Sequence, residues 1–331
     1  MKNHSLPNKR VFSLILCAAA CALPSQVSAQ TSYTYLALGD SVGFGITNGA
    51  SYFSFSNGDR GYVSRYADWQ ATQNAGLRPT VRNISVFGDS SASFLDVSNP
   101  ARVLNTNYPT PPAPPQSQFA FVSTQIAAAA AAGRPVQRVT VSLGANDLLS
   151  LVQQPGFISL PPDQQAAVLF GAVGTLQTNL GNLYGALRTA LPTAEIIAVG
   201  YYDPFIILPG NPNPALTTNV ILTVNSIIEQ TSSFFGGRYV DVYSSFFGRE
   251  QFLTNMLLDT TTPEPNVHPT EAGYEVIALQ IIPAPSAAGL VLAGVVALSH
   301  RRRRASPLAS MKRQLATVKQ PLATVKQPVG Q

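Results

Sequence analysis

An α/β fold with a parallel central sheet is what this chain predicts, on three observations. Short apolar runs, most of them rich in β-branched residues, recur at 34–38, 82–87, 138–143, 195–200 and 238–242. Segments of helical length alternate with them, at 62–75, 116–132, 162–191, 215–235 and 270–281. The chain alternates between the two types in order, which is the pattern of βαβ units. Strands nearly continuous in apolar character are buried on both faces, as parallel strands are. Right-handed crossovers then bring every C-terminal strand end to one edge of the sheet.

Taken in order, the elements carry their own punctuation. The first strand runs into Gly39-Asp40-Ser41, a turn of small residues, and the helix 62–75 follows. The second strand ends in Gly88-Asp89-Ser90. The helix 116–132 stops at Gly133, since glycine readily ends a helix. The third strand leads into Gly144-Ala145-Asn146-Asp147, and the long helix 162–191 is closed by Pro192. Tyr201, Tyr202 and Phe205 come after the fourth strand and are placed to border a cleft. The fifth strand leads to His268-Pro269-Thr270, where the last helix begins. Two proline-rich stretches, 109–115 with five prolines and 208–214, read as irregular connections.

The two ends read as addresses rather than fold. Residues 1–29 have the layout of a secretory signal: Lys2, Lys9 and Arg10, an apolar core at 11–23, and Val27-Ser28-Ala29 at the cleavage point. At the other end, Pro283-Ala284-Pro285 precedes an apolar run at 287–298, then His300 and Arg301 to Arg304. Apolar residues followed by a basic cluster form a stop-transfer pattern, although the run is short of the ~20 residues of a full span. Residues 305–331, in which the heptapeptide at 315–321 recurs at 322–328, read as a disordered basic tail. The domain between, 30–282, is long enough for one sizeable core.

Charge and cysteine counts exclude several classes of function. The chain is 45% hydrophobic and 11% charged, with a formal charge of +5. Every acidic residue falls between Asp40 and Glu275, where ten arginines face sixteen carboxylates and the net charge is −6. The positive charge therefore belongs to the tails, and the domain offers no basic surface for nucleic acid. Cys17 and Cys21, the only cysteines, lie in the leader, so the domain has neither a disulfide nor a catalytic thiol. No Gly-rich Lys-Ser/Thr loop is present for phosphoryl transfer. With no thiolate and one histidine, the domain has no His- or Cys-based metal set, and no cofactor is implied.

The remaining chemistry points to acyl transfer. Ser41, lifted off a strand end, is a candidate nucleophile that needs a base to take its proton. His268 is the only histidine of the domain, since His4 and His300 lie in the tails. It is therefore the only candidate imidazole base. Gly88 leaves its N–H unhindered, and the Asn146 side chain supplies an amide. With the N–H of Ser41, both are candidate donors to an oxyanion. Asp147 caps the next segment or braces the loop.

These blocks, Gly39-Asp40-Ser41, Gly88, Gly144-x-Asn146-Asp147 and His268-Pro269-Thr270, resemble in kind and order those of the SGNH hydrolases, the GDSL-type esterases and lipases. The resemblance spans nearly all of 34–280. It implies a flavodoxin-like three-layer sandwich around a parallel five-stranded sheet, and metal-free serine ester hydrolysis through an acyl-enzyme. It assigns Ser41 as nucleophile and His268 as base, with Ser41, Gly88 and Asn146 around the oxyanion. One position departs from the family: Pro265 stands where an aspartate normally orients the histidine. Glu264 is the nearest acidic substitute, a dyad with a backbone carbonyl is an alternative, and Asp259 is a more distant acid. The C-terminal end resembles a PEP-CTERM sorting signal, without its glutamate. That resemblance implies export to the envelope or cell surface, an exosortase-type processing enzyme and membrane contact through the C-terminal segment. The expected partner of the domain is a small-molecule, lipid or acetylated polysaccharide ester. An inactive binding protein of the same fold and an acyltransferase are the competing readings.

Overall fold

Strand β1 (Thr34–Gly39) is wholly buried, and its carboxyl end leads into the serine turn. The structure is a computed structural model that describes residues 32–47, 60–96, 103–104, 117–152, 154, 156–157, 159–210, 213–259 and 265–283. The expected signal peptide, the apolar run at 287–298, the arginine cluster and the basic tail lie outside the described residues. Among the described residues, no helix is long and apolar enough to cross a membrane.

After β1 come α1 (Ser41–Phe44), α2 (Gly61–Gln73), β2 (Thr80–Asn83), β3 (Val86–Phe87), α3 (Ser91–Leu95) and β4 (Val103–Leu104). They are followed by α4 (Gln118–Ala131), β5 (Val136–Ser142), α5 (Ala145–Val152), α6 (Pro162–Ala190), β6 (Glu195–Val199) and a 3₁₀ turn at Pro204–Ile207. The chain continues through α7 (Pro214–Phe234), β7 (Arg238–Val240), α8 (Tyr243–Phe246), α9 (Glu250–Leu253) and α10 (Glu271–Ile281).

Five strands form one sheet in the order β2-β1-β5-β6-β7, every pair parallel. Counted within the sheet, this is the 2-1-3-4-5 order of flavodoxin-like folds, and the expected fold class is the observed one. Helices α2 and α10 pack together on one side, and α6 packs on α7 on the other. Strand order reverses at β1, so the crevice outside the carboxyl ends of β1 and β5 is the place where such sheets bind ligands. Residues 39–41 and 144–146 both emerge there.

The expected strand at 82–87 is not one strand. Thr80–Asn83 pairs with β1, whereas Val86–Phe87 pairs antiparallel with Val103–Leu104 in a separate two-stranded ladder. The buried Asn83 makes the break. Its Oδ1 accepts from the N–H of Ser85 (3.1 Å), closing a local turn, and its amide donates to the carbonyl of Gly43 (2.8 Å). A side chain that bonds the backbone two residues on competes with the ladder. The chain is thereby redirected towards the edge of the sheet that carries Gly88.

Candidate active site

Gly39 has a φ of +136°, and a Cβ there would lie 2.1 Å from the carbonyl oxygen of Ser142. Only glycine permits this approach of β1 to β5. The Asp40 N–H then bonds the same carbonyl at 2.9 Å. The Asp40 side chain caps α1 by accepting from the N–H of Val42 (2.9 Å), and its other oxygen accepts from the Tyr201 hydroxyl at 2.6 Å. Ser41 is therefore the first residue of a rigidly capped turn. Its N–H, at a helix start, has no partner within the helix. Burial pushes the Asp40 carboxyl up to about 7, against the pull of the Tyr201 and Val42 bonds.

His268 comes from a loop clamped at several points. Its carbonyl accepts from the N–H of Asn255 (2.8 Å), the Asn255 amide donates to the carbonyl of Pro269 (3.0 Å), and the Tyr202 hydroxyl donates to the carbonyl of Val267 (2.8 Å). The ring is 5% exposed, and burial lowers its pKa to about 4, so it is neutral at physiological pH.

The orientation of that ring is set by a residue the sequence did not single out. Asn266 Oδ1 lies 2.7 Å from His268 Nδ1, and it also accepts from the backbone N–H of His268 (3.0 Å). The amide of Asn266 is itself held: Nδ2 donates to Asp259 Oδ2 (2.7 Å) and to the carbonyl of Thr47 (2.9 Å). Two acceptors on the nitrogen side fix which way the amide points, so Oδ1 faces the ring. An acceptor at Nδ1 requires the proton there and leaves the lone pair on Nε2. Asp259, the more distant acid of the sequence reading, stands one residue behind the imidazole. Glu264 lies outside the described residues. The signal for Asn266 was present in the Asn-x-His spacing, which permits an Asx-turn.

Ser41, Asn146 and His268 line one pocket of about 40 Å³, together with Tyr201, Tyr202 and Leu149. Of the aromatics expected at a cleft, Phe205 is buried in the 3₁₀ turn and does not line it. Gly88 is exposed, with a φ of +75°, and is not among the pocket residues. It follows Phe87, whose ring centroid is 6.0 Å from that of His268. The next residue, Asp89, accepts from the Asn146 amide through its carbonyl (2.8 Å), which ties the Gly88 turn to Asn146. Asp147 braces the loop rather than facing the pocket: its carboxylate accepts from the N–H of Ser91 (2.8 Å) and from the Ser91 hydroxyl. Among the described residues, no three His, Cys, Asp or Glu side chains come together in a metal-holding group.

The solved structures similar in fold include the lipase Lip_vut3 from a goat rumen metagenome. It is 19% identical, with 75% of this chain and 95% of that one covered and a TM-score of 0.52. An extracellular lipase from Streptomyces rimosus is 20% identical over 76% of this chain and all of that one, with a TM-score of 0.49. A mutant of Axe2, a Geobacillus acetyl-xylooligosaccharide esterase, is 15% identical over 75% and 92%, with a TM-score of 0.47. No curated protein matches the chain. Residues 37–276, which hold the sheet, the serine turn and the histidine loop, match the GDSL-like lipase/acylhydrolase family, and the chain belongs to that family.

Proposed function

We propose that this protein is a serine esterase that cleaves carboxylic esters with a short acyl group through an acyl-enzyme on Ser41. The observation that carries the reading is the Asn266–His268 bond, 2.7 Å long, in a pocket that Ser41 also lines. A proton held on Nδ1 leaves Nε2 as the acceptor that a serine hydroxyl needs. Ser41 Oγ adds to the ester carbonyl and its proton passes to His268. The oxyanion is met by the N–H of Ser41 and the Asn146 amide, which line the pocket, and the N–H of Gly88 is the third donor that the family resemblance implies, from a turn beside the described pocket. Collapse breaks the ester bond, and the imidazolium protonates the departing alcohol. Water, deprotonated by His268, then releases the acid and restores Ser41. Asn266 is the orienting group in this reading, with Asp259 behind it.

A pocket of about 40 Å³ holds only a few waters, since one water needs ~10–15 Å³ of such space. This supports an acetyl-sized acyl group, on a carbohydrate or another small alcohol, over a long lipid chain. Export through residues 1–29, retention or processing through the 283–304 segment by an exosortase-type enzyme, and membrane contact there complete the proposal. They rest on the sequence pattern of the two ends.

The test is hydrolysis of p-nitrophenyl acetate by the full chain and by Ser41→Ala. Turnover that Ser41→Ala abolishes supports the reading, and equal turnover by both proteins overturns the assignment of Ser41. A fluorophosphonate probe that labels folded wild type but not Ser41→Ala adds a readout independent of the chosen ester.

A further inference from the structure

Gln118 is the first residue of α4 and is fully buried, an unusual place for an uncharged side-chain amide with no role in its own helix. The helix start does not require it, because Ser117 caps α4 by accepting from the N–H of Ala120 (3.0 Å). The Gln118 side chain instead reaches across to the sheet edge. Its Oε1 accepts from the N–H of Gly39 at 2.8 Å, and its Nε2 donates to the carbonyl of Gly39 at 2.9 Å. The same Nε2 donates to Asp89 Oδ2 at 2.8 Å.

Each partner lies within two residues of an oxyanion donor. The carbonyl of Gly39 begins the peptide that leads through Asp40 to the N–H of Ser41. Asp89 follows Gly88, and its own carbonyl holds the Asn146 amide at 2.8 Å. One amide thus ties the two loops that carry Ser41 and Gly88, and Asn146, on α5, is reached through the carbonyl of Asp89. The bonds span 79 and 29 residues of sequence, so no local structure would supply them. An amide suits the place for a chemical reason. It meets a peptide N–H and a peptide carbonyl at once, as another strand would, and still has a second N–H for a carboxylate. A glutamate would lose both donors and set a second carboxylate against Asp89.

We propose that Gln118 is a positioning residue of the oxyanion site, fixing the spacing between the Ser41 turn and the Gly88-Asp89 turn. The proposal rests on the esterase reading, and it acts on the chemical step rather than on substrate capture. Donors that are displaced from the developing oxyanion stabilise the transition state less while leaving ground-state binding alone.

The experiment uses the full chain with Gln118→Met, close in size and without amide bonds, and Gln118→Glu. Gln125→Met, a buried glutamine two turns along α4, is the control for general loosening of the helix. Folding is checked by circular dichroism, and rates are compared at a temperature where all variants are folded. Expected is a fall in kcat of about 10–100-fold for Gln118→Met, a larger fall for Gln118→Glu, and KM within about threefold of wild type. Gln125→Met keeps its kcat. The backbone amide resonances of Ser41 and Gly88 shift in Gln118→Met and not in Gln125→Met, a readout that does not depend on having the right ester. Unshifted resonances, an unchanged kcat in folded Gln118→Met, or an equal loss in Gln125→Met overturns the proposal. Wild type that hydrolyses no ester, with the resonance shifts present, overturns the esterase reading and leaves the positioning role standing.

Discussion

Tyr201 donates a 2.6 Å hydrogen bond to the buried carboxylate of Asp40, the residue before Ser41. The bond joins the end of β6 to the end of β1 across β5, and the backbone of Tyr201 is fixed in turn by Asn225, which bonds both its N–H (2.7 Å) and its carbonyl (2.8 Å). Tyr201→Phe removes a donor to the charged form of Asp40 and so raises its pKa further above about 7. The loss of stability is expected to be about 1–3 kcal/mol where Asp40 is ionised and smaller where it is protonated. Urea unfolding at pH 8 and at pH 5 measures this, and a loss that is greater at pH 5 contradicts the assignment.

The acid limb of activity reports His268. Burial lowers its pKa from 6.5 to about 4, and the free-enzyme value governs kcat/KM. The rate is therefore expected to hold steady from neutral pH down to about pH 5 and to fall as pH drops through about 4. A midpoint near 6.5 shows an imidazole in contact with water, and a pocket looser than the one described.

The same two groups set opposing slopes of stability. For His268 the folded pKa lies below the unfolded one, so its contribution is complete above 6.5 and is lost as pH falls towards 4. For Asp40 the folded pKa lies above the unfolded 3.8, so stability is lost as pH rises from there to about 7. In the wild type the two slopes offset each other over most of that range. In His268→Gln the opposing His268 slope is gone, while that of Asp40 and those of Asp147 and Asp203, whose carboxyls burial also raises, remain, so stability is expected to fall from pH 4 to pH 7. A rising slope in that variant rules out Asp40 as the titrating group.

Asn266→Ala removes the acceptor that Asn266 presents to His268 Nδ1, and with it the bond that selects the tautomer of the ring. A drop in kcat of about 10²-fold with little change in KM is expected. Asp259→Asn keeps the 2.7 Å neighbour of Asn266 in kind but removes its charge, so a smaller loss is expected, about 10-fold. The downfield proton resonance of His268 Nδ1 separates the cases: it persists in Asp259→Asn and disappears in Asn266→Ala.

The parts of this site that show in the sequence are those carried by one residue at the boundary of an element. Ser41 and Asn146 follow apolar strands, whose ends sheet topology gathers on one edge, and His268, just before the last helix, is the only histidine of the domain. The parts that do not show depend on contacts between distant residues. Asn266 is an amide one residue after Pro265, the position where a carboxylate is expected, and its role appears only when Asp259 and Thr47 are seen to hold its nitrogen. Gln118 reads as one more polar residue at the start of a helix. The fold follows the same division. The five long helices have enough turns to show their character, whereas α1, α3, α8 and α9 have only four or five residues each. Helices that short are held by packing and caps rather than by propensity. The split of the expected strand at 82–87 turns on the Asn83 amide, whose partner Gly43 is 40 residues away.

Acyl length is the last prediction, and it turns on Leu149. This residue closes one side of the pocket of about 40 Å³ from helix α5, where it is partly buried and packs against the core. With the wild type, kcat/KM is expected to fall from p-nitrophenyl acetate to the butyrate and hexanoate esters, because the added methylenes run beyond the small lined space of the pocket. Leu149→Ala opens the wall by about three methylene-sized groups. One methylene in a hydrophobic pocket is worth about 1–3 kcal/mol in discrimination. The preference for acetate over hexanoate should therefore shrink by at least about tenfold in Leu149→Ala, with acetate turnover changed little. A wild type that prefers hexanoate, or a Leu149→Ala variant whose preference is unchanged, shows that the acyl chain lies elsewhere than against Leu149.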